Sequence, residues 1–312
     1  MSALSQKHFL GLETATKEDI QTLINTGFTF REILDRPIKK VPSLMGVNIL
    51  NLFFENSTRT RISFELAEKR LSAEVINFST SSSSVKKGES LKDTIQNIHA
   101  MKIDAIIMRH PTPGSVLQLT EFIDSVVINA GDGTHEHPTQ AMLDMMSLYE
   151  KFGKLKGLKI AIIGDVLHSR VALSNIYGLK KMGAEVTLCG PPHLIPKYIE
   201  ITGVKINYNL DEVIEWADAL NVLRIQRERM GIGLIPSIRE YRSTFGITLE
   251  RMKKHKNEIV IMHPGPMNRG VEIDSVIADS DQTIILDQVL NGVAIRMSIL
   301  YLLLSPDREA IQ

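Results

Sequence analysis

The chain has little cysteine: Cys189 is the single one among 312 residues. One cysteine excludes an intramolecular disulfide and any metal site built from several thiolates. Cys189 follows the apolar run Ala184–Leu188, so we predict a buried thiol at the end of a strand rather than a nucleophile.

An excess of charge of one sign is also missing. Lys and Arg together number 36, and Asp and Glu together number 36. No uniform field therefore attracts nucleic acid or an anionic membrane, and we expect neither as a partner. No uninterrupted apolar run approaches the roughly 20 residues that span a bilayer. Met1–Gly11 lacks the pattern of a secretory signal, so a cytoplasmic location is the expectation.

Alternating strand and helix patterns indicate the fold class. A chain of 312 residues favours two domains of about 150 residues each. Several short runs are apolar on both faces, as in parallel strands covered by helices. They form two groups: Val47–Phe53, Glu74–Phe78, Asp104–Met108 and Ser125–Asn129, then Leu158–Ile163, Glu185–Leu188, Lys205–Tyr208, Ala219–Leu223 and Glu258–Met262. We predict an α/β protein with two doubly wound parallel-sheet domains and a ligand crevice between them.

Two helical patterns set the predicted domain limits. Residues 138–152 have helical spacing and bridge the two groups of strands. Val289–Leu304 is a strongly apolar helix pattern that can pack back onto the first domain. The predicted domains are therefore 1–137 plus 288–312, and 138–287.

The stretch Phe54–Arg61 predicts an anion site. It reads Phe-Glu-Asn-Ser-Thr-Arg-Thr-Arg between an apolar and an amphipathic run, which is typical of a strand, a tight turn and a helix start. A helix N-terminus has unpaired N–H groups and a positive dipole end. We expect Ser57 to cap the helix, while Thr58, Arg59 and Thr60 add donors for phosphate. The alternative is a capped surface helix with solvated arginines.

Five further polar clusters each follow a predicted strand, which favours a single ligand site. They are Arg109–Pro111, His135–Gln140, Asp165–Arg170, Arg224–Arg229 and His263–Pro266. The serine-rich stretch Ser79–Ser90 is either a plain flexible loop or an arm that carries Lys86 and Lys87 to an anion.

Each cluster also has a plainer interpretation. His135 and His137 are weak metal ligands by spacing alone, and Arg170 and Arg224 can be ordinary ion-pair partners. Gly164–Asp165 follows a strand, but the Gly-x-Gly-x-x-Gly spacing of dinucleotide sites is missing. We therefore predict no metal and no dinucleotide.

These motifs together resemble the catalytic chains of the aspartate transcarbamoylase family, over nearly the full length. The matching stretches are Phe54–Arg61, Lys86–Glu89, Arg109–Pro111, His137–Gln140, Arg224–Gln226 and His263–Pro266. The resemblance implies transfer of a carbamoyl group from carbamoyl phosphate to the α-amine of L-aspartate, with no cofactor. Catalysis then depends on positioning and charge stabilisation.

The resemblance also implies a role for each site residue. The phosphate is held by Ser57, Thr58, Arg59 and Thr60. The carbonyl oxygen receives donors from Thr60, Arg109 and His137. The carbamoyl NH₂ is oriented by Gln140 and the backbone of Gly265 and Pro266. The two carboxylates of aspartate meet Arg170, Arg224 and Gln226. Ser83 and Lys87 enter from a neighbouring subunit, Lys87 touching both substrates.

The shared residues imply a homotrimer, with a regulatory chain or a dihydroorotase as further possible partners. Gly265 departs from the family, which usually has a larger apolar residue there, and the peptide bond before Pro266 matches the family's cis bond.

Rival interpretations are an ornithine transcarbamoylase and a non-catalytic homologue. The first lacks support because neither a Ser-Met-Gly loop nor a His-Cys-Leu-Pro segment is present. The second predicts loss of residues such as Arg59 or His137, which the chain retains.

Overall fold

The computed structural model describes residues 4–79, 91–226, 237–255 and 258–305. The chain divides into two compact units. Unit 1 comprises the residues up to Met146 together with those from Leu290 onward, and unit 2 comprises Ser147–Val289.

Unit 1 contains a four-stranded parallel sheet in the order β2-β1-β3-β4. Its strands are β1 (Asn48–Phe53), β2 (Glu74–Ser79), β3 (Ala105–His110) and β4 (Val126–Asp132). Its helices are α1 (Lys17–Leu34), α2 (Thr58–Arg70), α3 (Leu91–His99) and α4 (Ser115–Leu119), with the first part of α5 (Pro138–Phe152). Leu50, Ile106 and Val127 are among the buried side chains of its core.

Unit 2 contains a five-stranded parallel sheet in the order β7-β6-β5-β8-β9. Its strands are β5 (Lys159–Ile163), β6 (Glu185–Cys189), β7 (Lys205–Ile206), β8 (Ala219–Val222) and β9 (Val260–Met262). Its helices are α6 (Arg170–Lys181), α7 (Leu210–Trp216), α8 (Ile238–Phe245), α9 (Leu249–Met252) and α10 (Ser275–Ala278), followed by the start of α11 (Ile285–Leu304). The prediction of two α/β parallel-sheet domains is confirmed.

Most predicted strands agree with the structure, but their ends differ. The sequence ends one strand at Met108, whereas β3 continues through Arg109 and His110. The predicted strand from Ser125 to Asn129 extends to Asp132 in β4. Polar residues at the end of a strand show no alternation of apolar and polar side chains. The sequence therefore predicts a loop there, even though the backbone still pairs with the neighbouring strand.

The part of helix α11 that belongs to unit 1, from Leu290 onward, is mostly buried although it comes late in the sequence. Its Ser298 hydroxyl donates to the carbonyl of Leu23 at 2.9 Å. Within the described ranges it is the one helix whose length and apolarity would suffice to cross a membrane, and 72% of that stretch is buried inside the structure. A mostly buried core helix of a globular protein has the same composition.

Candidate functional site

The predicted phosphate-binding residues lie in the turn between β1 and α2. Helix α2 begins at Thr58, and its first turn contains no acidic side chain. Its N–H groups and positive dipole end therefore meet no negative charge from that turn. Thr58 and Arg59 are exposed, whereas Thr60 is buried. This arrangement suits an anion at the helix N-terminus.

The expectation that Ser57 caps this helix is wrong. Ser57 occupies the N-cap position with φ −154° and ψ 82°, and its side chain makes no capping hydrogen bond. Helix α1 shows the contrast, because the Thr16 hydroxyl accepts the Asp19 N–H at 3.0 Å in a complete capping box. The conformation of Ser57 differs from the extended one in which a cap hydroxyl reaches the first turn.

Arg109 lies beside this turn because β1 and β3 are neighbours. The Phe54 N–H donates to the carbonyl of Arg109 at 2.9 Å. The Arg109 guanidinium donates to Glu55 Oε2 at 3.1 Å and to the carbonyl of Ala130 at 3.2 Å. Glu55 is part of the Phe54–Arg61 motif but had no role predicted from the sequence, and it thus anchors the guanidinium.

His137 and Gln140 lie at the start of α5. His137 is buried, and its carbonyl accepts the N–H of Gln140 at 3.0 Å. Pro138 suits the first helical position because a backbone N–H there would have no helical partner. The half-buried Gln140 donates from Nε2 to Asp144 Oδ1 at 2.9 Å.

The carboxyl ends of β1, β3 and β4 bring these groups to one edge of the sheet. The strand order reverses between β1 and β3, which defines the topological switch point where open α/β sheets bind ligands. The phosphate turn and Arg109 lie on either side of it.

Arg296 is a charged residue of unit 1 that the sequence analysis missed. It is 3% exposed and lies in α11. Its Nη1 donates to Ser63 Oγ at 3.0 Å, and its Nη2 donates to Thr139 Oγ1 at 3.2 Å. It therefore connects α2, which begins at the phosphate turn, with α5, which carries Gln140. An arginine inside a long apolar helix is a sequence signal for such a buried polar centre.

The buried surroundings of Arg296 shift its pKa. Burial, together with the nearby charge of Arg109, lowers the pKa of Arg296 to about 9 against an opposing contribution from Asp144. The guanidinium lies close over the backbone of Gly292, where a Cβ atom would approach Nη1 to 2.8 Å. At neutral pH the side chain is still cationic.

His135 belongs to a different cluster from His137. Ligand atoms of Glu13, His135 and Glu136 lie within 4.8 Å of one another. Glu136 accepts the N–H of Leu12 at 2.8 Å and that of Glu13 at 3.1 Å, and the hydrogen bond to Asp132 raises the pKa of His135. These contacts explain the cluster as an anchor for the N-terminal segment. His137 is not part of it.

In unit 2, Asp165 ties two loops together. It is fully buried, and His168 Nδ1 lies 2.9 Å from its Oδ1. The backbone N–H of Gln226 also bonds to this carboxylate, and burial raises the pKa of Asp165. Asp165 thus connects the loop after β5 to the loop after β8.

The predicted aspartate-binding residues follow β5 and β8. Arg170 is buried at the first position of α6, and the Ser169 hydroxyl caps that helix. Arg224 and Gln226 are half-buried beyond the end of β8. The strand order of this sheet reverses between β5 and β8, so the three side chains flank the switch point of unit 2.

The segment after β9 is fixed by a buried histidine. The Gly265 N–H donates to His263 Nδ1 at 2.8 Å, so Nδ1 is unprotonated and Nε2 carries the hydrogen. Nε2 lies 3.3 Å from Glu272 Oε1, and both side chains are fully buried. Gly265 has φ 60°, a conformation glycine adopts readily, and its bond to Pro266 is cis as expected. Glu272 was missed by the motif analysis.

Two predicted site residues, Ser83 and Lys87, lie outside the described residues. Cys189 is fully buried at the end of β6, as predicted, and burial raises its pKa to about 12. A thiol in that state is not a nucleophile at neutral pH.

Comparison with known families agrees with this architecture. The carbamoyl-phosphate-binding domain of aspartate/ornithine carbamoyltransferase matches residues 7–150, and the Asp/Orn-binding domain of the same family matches residues 156–303. The chain belongs to the aspartate/ornithine carbamoyltransferase family.

Individual relatives narrow the resemblance to one branch. The chain is 59% identical over 308 residues to the aspartate carbamoyltransferase catalytic subunit of Christiangramia forsetii, covering 99% of both. It is 58% identical over 303 residues to that of Cytophaga hutchinsonii, covering 97% of this chain and 99% of the relative. It also resembles aspartate transcarbamoylase from Trypanosoma cruzi in complex with N-(phosphonacetyl)-L-aspartic acid, with TM-score 0.89, 31% identity and 98% of both chains covered. The family resemblance carried by the motifs is confirmed.

Proposed function

We propose that this chain transfers the carbamoyl group of carbamoyl phosphate to the α-amine of L-aspartate. The products are N-carbamoyl-L-aspartate and phosphate, an early step of de novo pyrimidine biosynthesis. The observation that carries the proposal is the 59% identity, over 99% of both chains, to a catalytic subunit of that activity. The polar groups at the two sheet edges supply the chemistry that the reaction needs.

Phosphate binding is assigned to the first turn of α2. Ser57, Thr58, Arg59 and Thr60 offer hydroxyls, a guanidinium and helix N–H groups to the phosphate oxygens. Positive charge at this place stabilises the phosphate as it leaves. This assignment of the phosphate is supported by the absence of acidic residues from the first turn of α2.

The carbamoyl group is assigned to donors and acceptors around it. Thr60, Arg109 and His137 donate to the carbonyl oxygen, where negative charge develops as the amine attacks. Gln140 accepts from the NH₂ group, together with the backbone around Gly265 and Pro266. No protein nucleophile or cofactor takes part in this reaction, which proceeds by positioning.

L-Aspartate is assigned to the switch point of unit 2. Arg170 takes the α-carboxylate, and Arg224 with Gln226 takes the side-chain carboxylate, because a guanidinium can hold a carboxylate through two parallel hydrogen bonds. Residues 1–137 with 288–312 then bind carbamoyl phosphate, and residues 138–287 bind aspartate. We place the enzyme in the cytoplasm.

The active unit is proposed to be a homotrimer. Ser83 and Lys87 of one subunit would complete the site of the next, with Lys87 contacting both phosphate and aspartate. Trimers mixed from Lys87→Ala and Arg59→Ala subunits should then regain activity, because some sites receive neither substitution. Verified hybrids without any recovery would show that each chain completes its own site. A regulatory chain or a dihydroorotase is a further possible partner of the trimer.

The deciding experiment offers the purified chain carbamoyl phosphate with L-aspartate and L-ornithine as competing acceptors. We expect carbamoyl-aspartate as the product, because Arg224 and Gln226 suit a second carboxylate. Citrulline as the product would agree with the assignment of the phosphate site and would show that the acceptor is ornithine rather than aspartate. No product with either acceptor would favour a non-catalytic homologue.

A further inference from the structure

The amide of Gln140 is held in one orientation by its neighbour on α5. Gln140 Nε2 lies 2.9 Å from Asp144 Oδ1, one helical turn further along. A side-chain amide has donors at its nitrogen and an acceptor at its oxygen, whereas a carboxylate only accepts. The nitrogen must therefore face Asp144. The oxygen, Oε1, points the other way as a hydrogen-bond acceptor.

Asp144 is itself fixed in a buried setting. It is fully buried, and a buried carboxylate needs a compensating charge. Arg296 provides it, since the charge of Asp144 raises the pKa of Arg296. Arg296 also donates to Thr139, the residue before Gln140, at 3.2 Å. The two residues thus hold the first turn of α5 from inside the unit.

We propose that Asp144 is a positioning residue that makes the site selective for a carbamoyl group. By occupying the nitrogen of Gln140, it turns Oε1 toward the NH₂ of carbamoyl phosphate. This inference rests on the proposed function, in which Gln140 faces that NH₂. Acetyl phosphate has a methyl group in the same place, which needs no acceptor.

The test compares the two acyl phosphates in the wild-type enzyme and in Asp144→Asn. An asparagine amide can donate to Gln140 Oε1 as readily as it accepts from Nε2, so Gln140 loses its preferred orientation. We expect kcat/KM for carbamoyl phosphate to fall about tenfold. The inhibition constant of acetyl phosphate against carbamoyl phosphate should change less than about twofold, because its methyl group makes no hydrogen bond.

Two further variants separate positioning from general damage. In a Gln140→Ala background, Asp144→Asn should produce no additional loss of discrimination, because the residue it acts through is gone. Asp19→Asn is the matched control: Asp19 is also buried in unit 1, but its carboxylate caps α1. That variant should lose stability and keep the discrimination between the two acyl phosphates.

The outcomes are distinct. Equal weakening of both acyl phosphates by Asp144→Asn would overturn the inference and leave the proposed function intact. So would a change in discrimination that persists without Gln140. A wild-type chain that transfers no carbamoyl group to aspartate would overturn both.

A second measurement needs no change at Asp144, in case that variant does not fold. In protein labelled with ¹⁵N at glutamine side chains, Gln140 is assigned by its absence in Gln140→Ala. An amide bonded to a carboxylate should show a downfield proton that exchanges slowly with water. An ordinary shift with fast exchange would overturn the inference.

Discussion

Replacing Glu68 by glutamine is expected to stabilise the protein at neutral and alkaline pH. Glu68 lies in α2, is fully buried, and accepts from Asn51 Nδ2 at 2.9 Å. Burial, with a smaller contribution from the charge of Glu65, raises the pKa of Glu68 to about 8, although the hydrogen bond from Asn51 opposes the increase. Among the described residues, Glu68 Oε1 and Asn51 Oδ1 have no hydrogen-bond partner. A neutral carboxyl adds one O–H donor beside these two acceptors.

The magnitude follows from the two pKa values. The unfolded chain releases this proton near pH 4.5, whereas the folded chain holds it up to about pH 8. Between these values the folded state binds one proton more, so the free energy of unfolding falls by about 1.4 kcal/mol per pH unit. The loss is about 3 kcal/mol at pH 7 and levels off above pH 8. Glutamine keeps the acceptor, supplies the missing donor and does not titrate.

Urea unfolding followed by circular dichroism between pH 4.5 and 9 measures this difference. Glu68→Gln and wild type should have similar stability near pH 4.5, and the variant should gain steadily as the pH rises. Glu121→Gln, at an exposed site, is the matched control and should follow wild type throughout. Parallel pH profiles of wild type and Glu68→Gln would refute the reasoning.

Three further predictions concern single side chains. Arg59→Ala should lower kcat by at least about a hundredfold, because it removes charge where the phosphate leaves; near-full turnover would disprove the phosphate assignment. Arg224→Ala should raise the KM for aspartate about tenfold and barely change that for carbamoyl phosphate, and steady-state kinetics showing the reverse would move Arg224 out of the acceptor site. Cys189 should resist a disulfide reagent in the folded protein and react once urea unfolds it, because it is fully buried; rapid labelling of the native protein would contradict the burial.

The positions of the polar clusters could be predicted from sequence because they follow one rule. Parallel strands all end at the same edge of a sheet, so residues after each strand meet there. That rule depends only on each strand and the turn after it, so the sequence places His137 and Arg224 beyond the ends of β4 and β8 and Arg109 at the end of β3. The prediction that Ser57 caps α2 was wrong because a cap depends on backbone angles, which the identity of the residue does not determine.

The residues behind the site could not be found in the same way. Arg296 meets Ser63 across 233 positions of the chain, and Glu55 meets Arg109 across 54. Neither contact has a periodicity or a motif, because each depends on how separate elements pack. A single polar residue in an apolar helix indicates that it has a hydrogen-bond partner, but it does not indicate which residue that partner is.

The return of α11 to unit 1 has a consequence for synthesis on the ribosome. Ser298 bonds to Leu23 and Arg296 to Ser63, so Leu23 and Ser63 leave the ribosome long before the residues that they contact. Unit 2 is continuous in sequence and emerges whole while unit 1 still lacks most of α11. The second half of the protein can therefore fold first, reversing the usual order in which domains mature during translation.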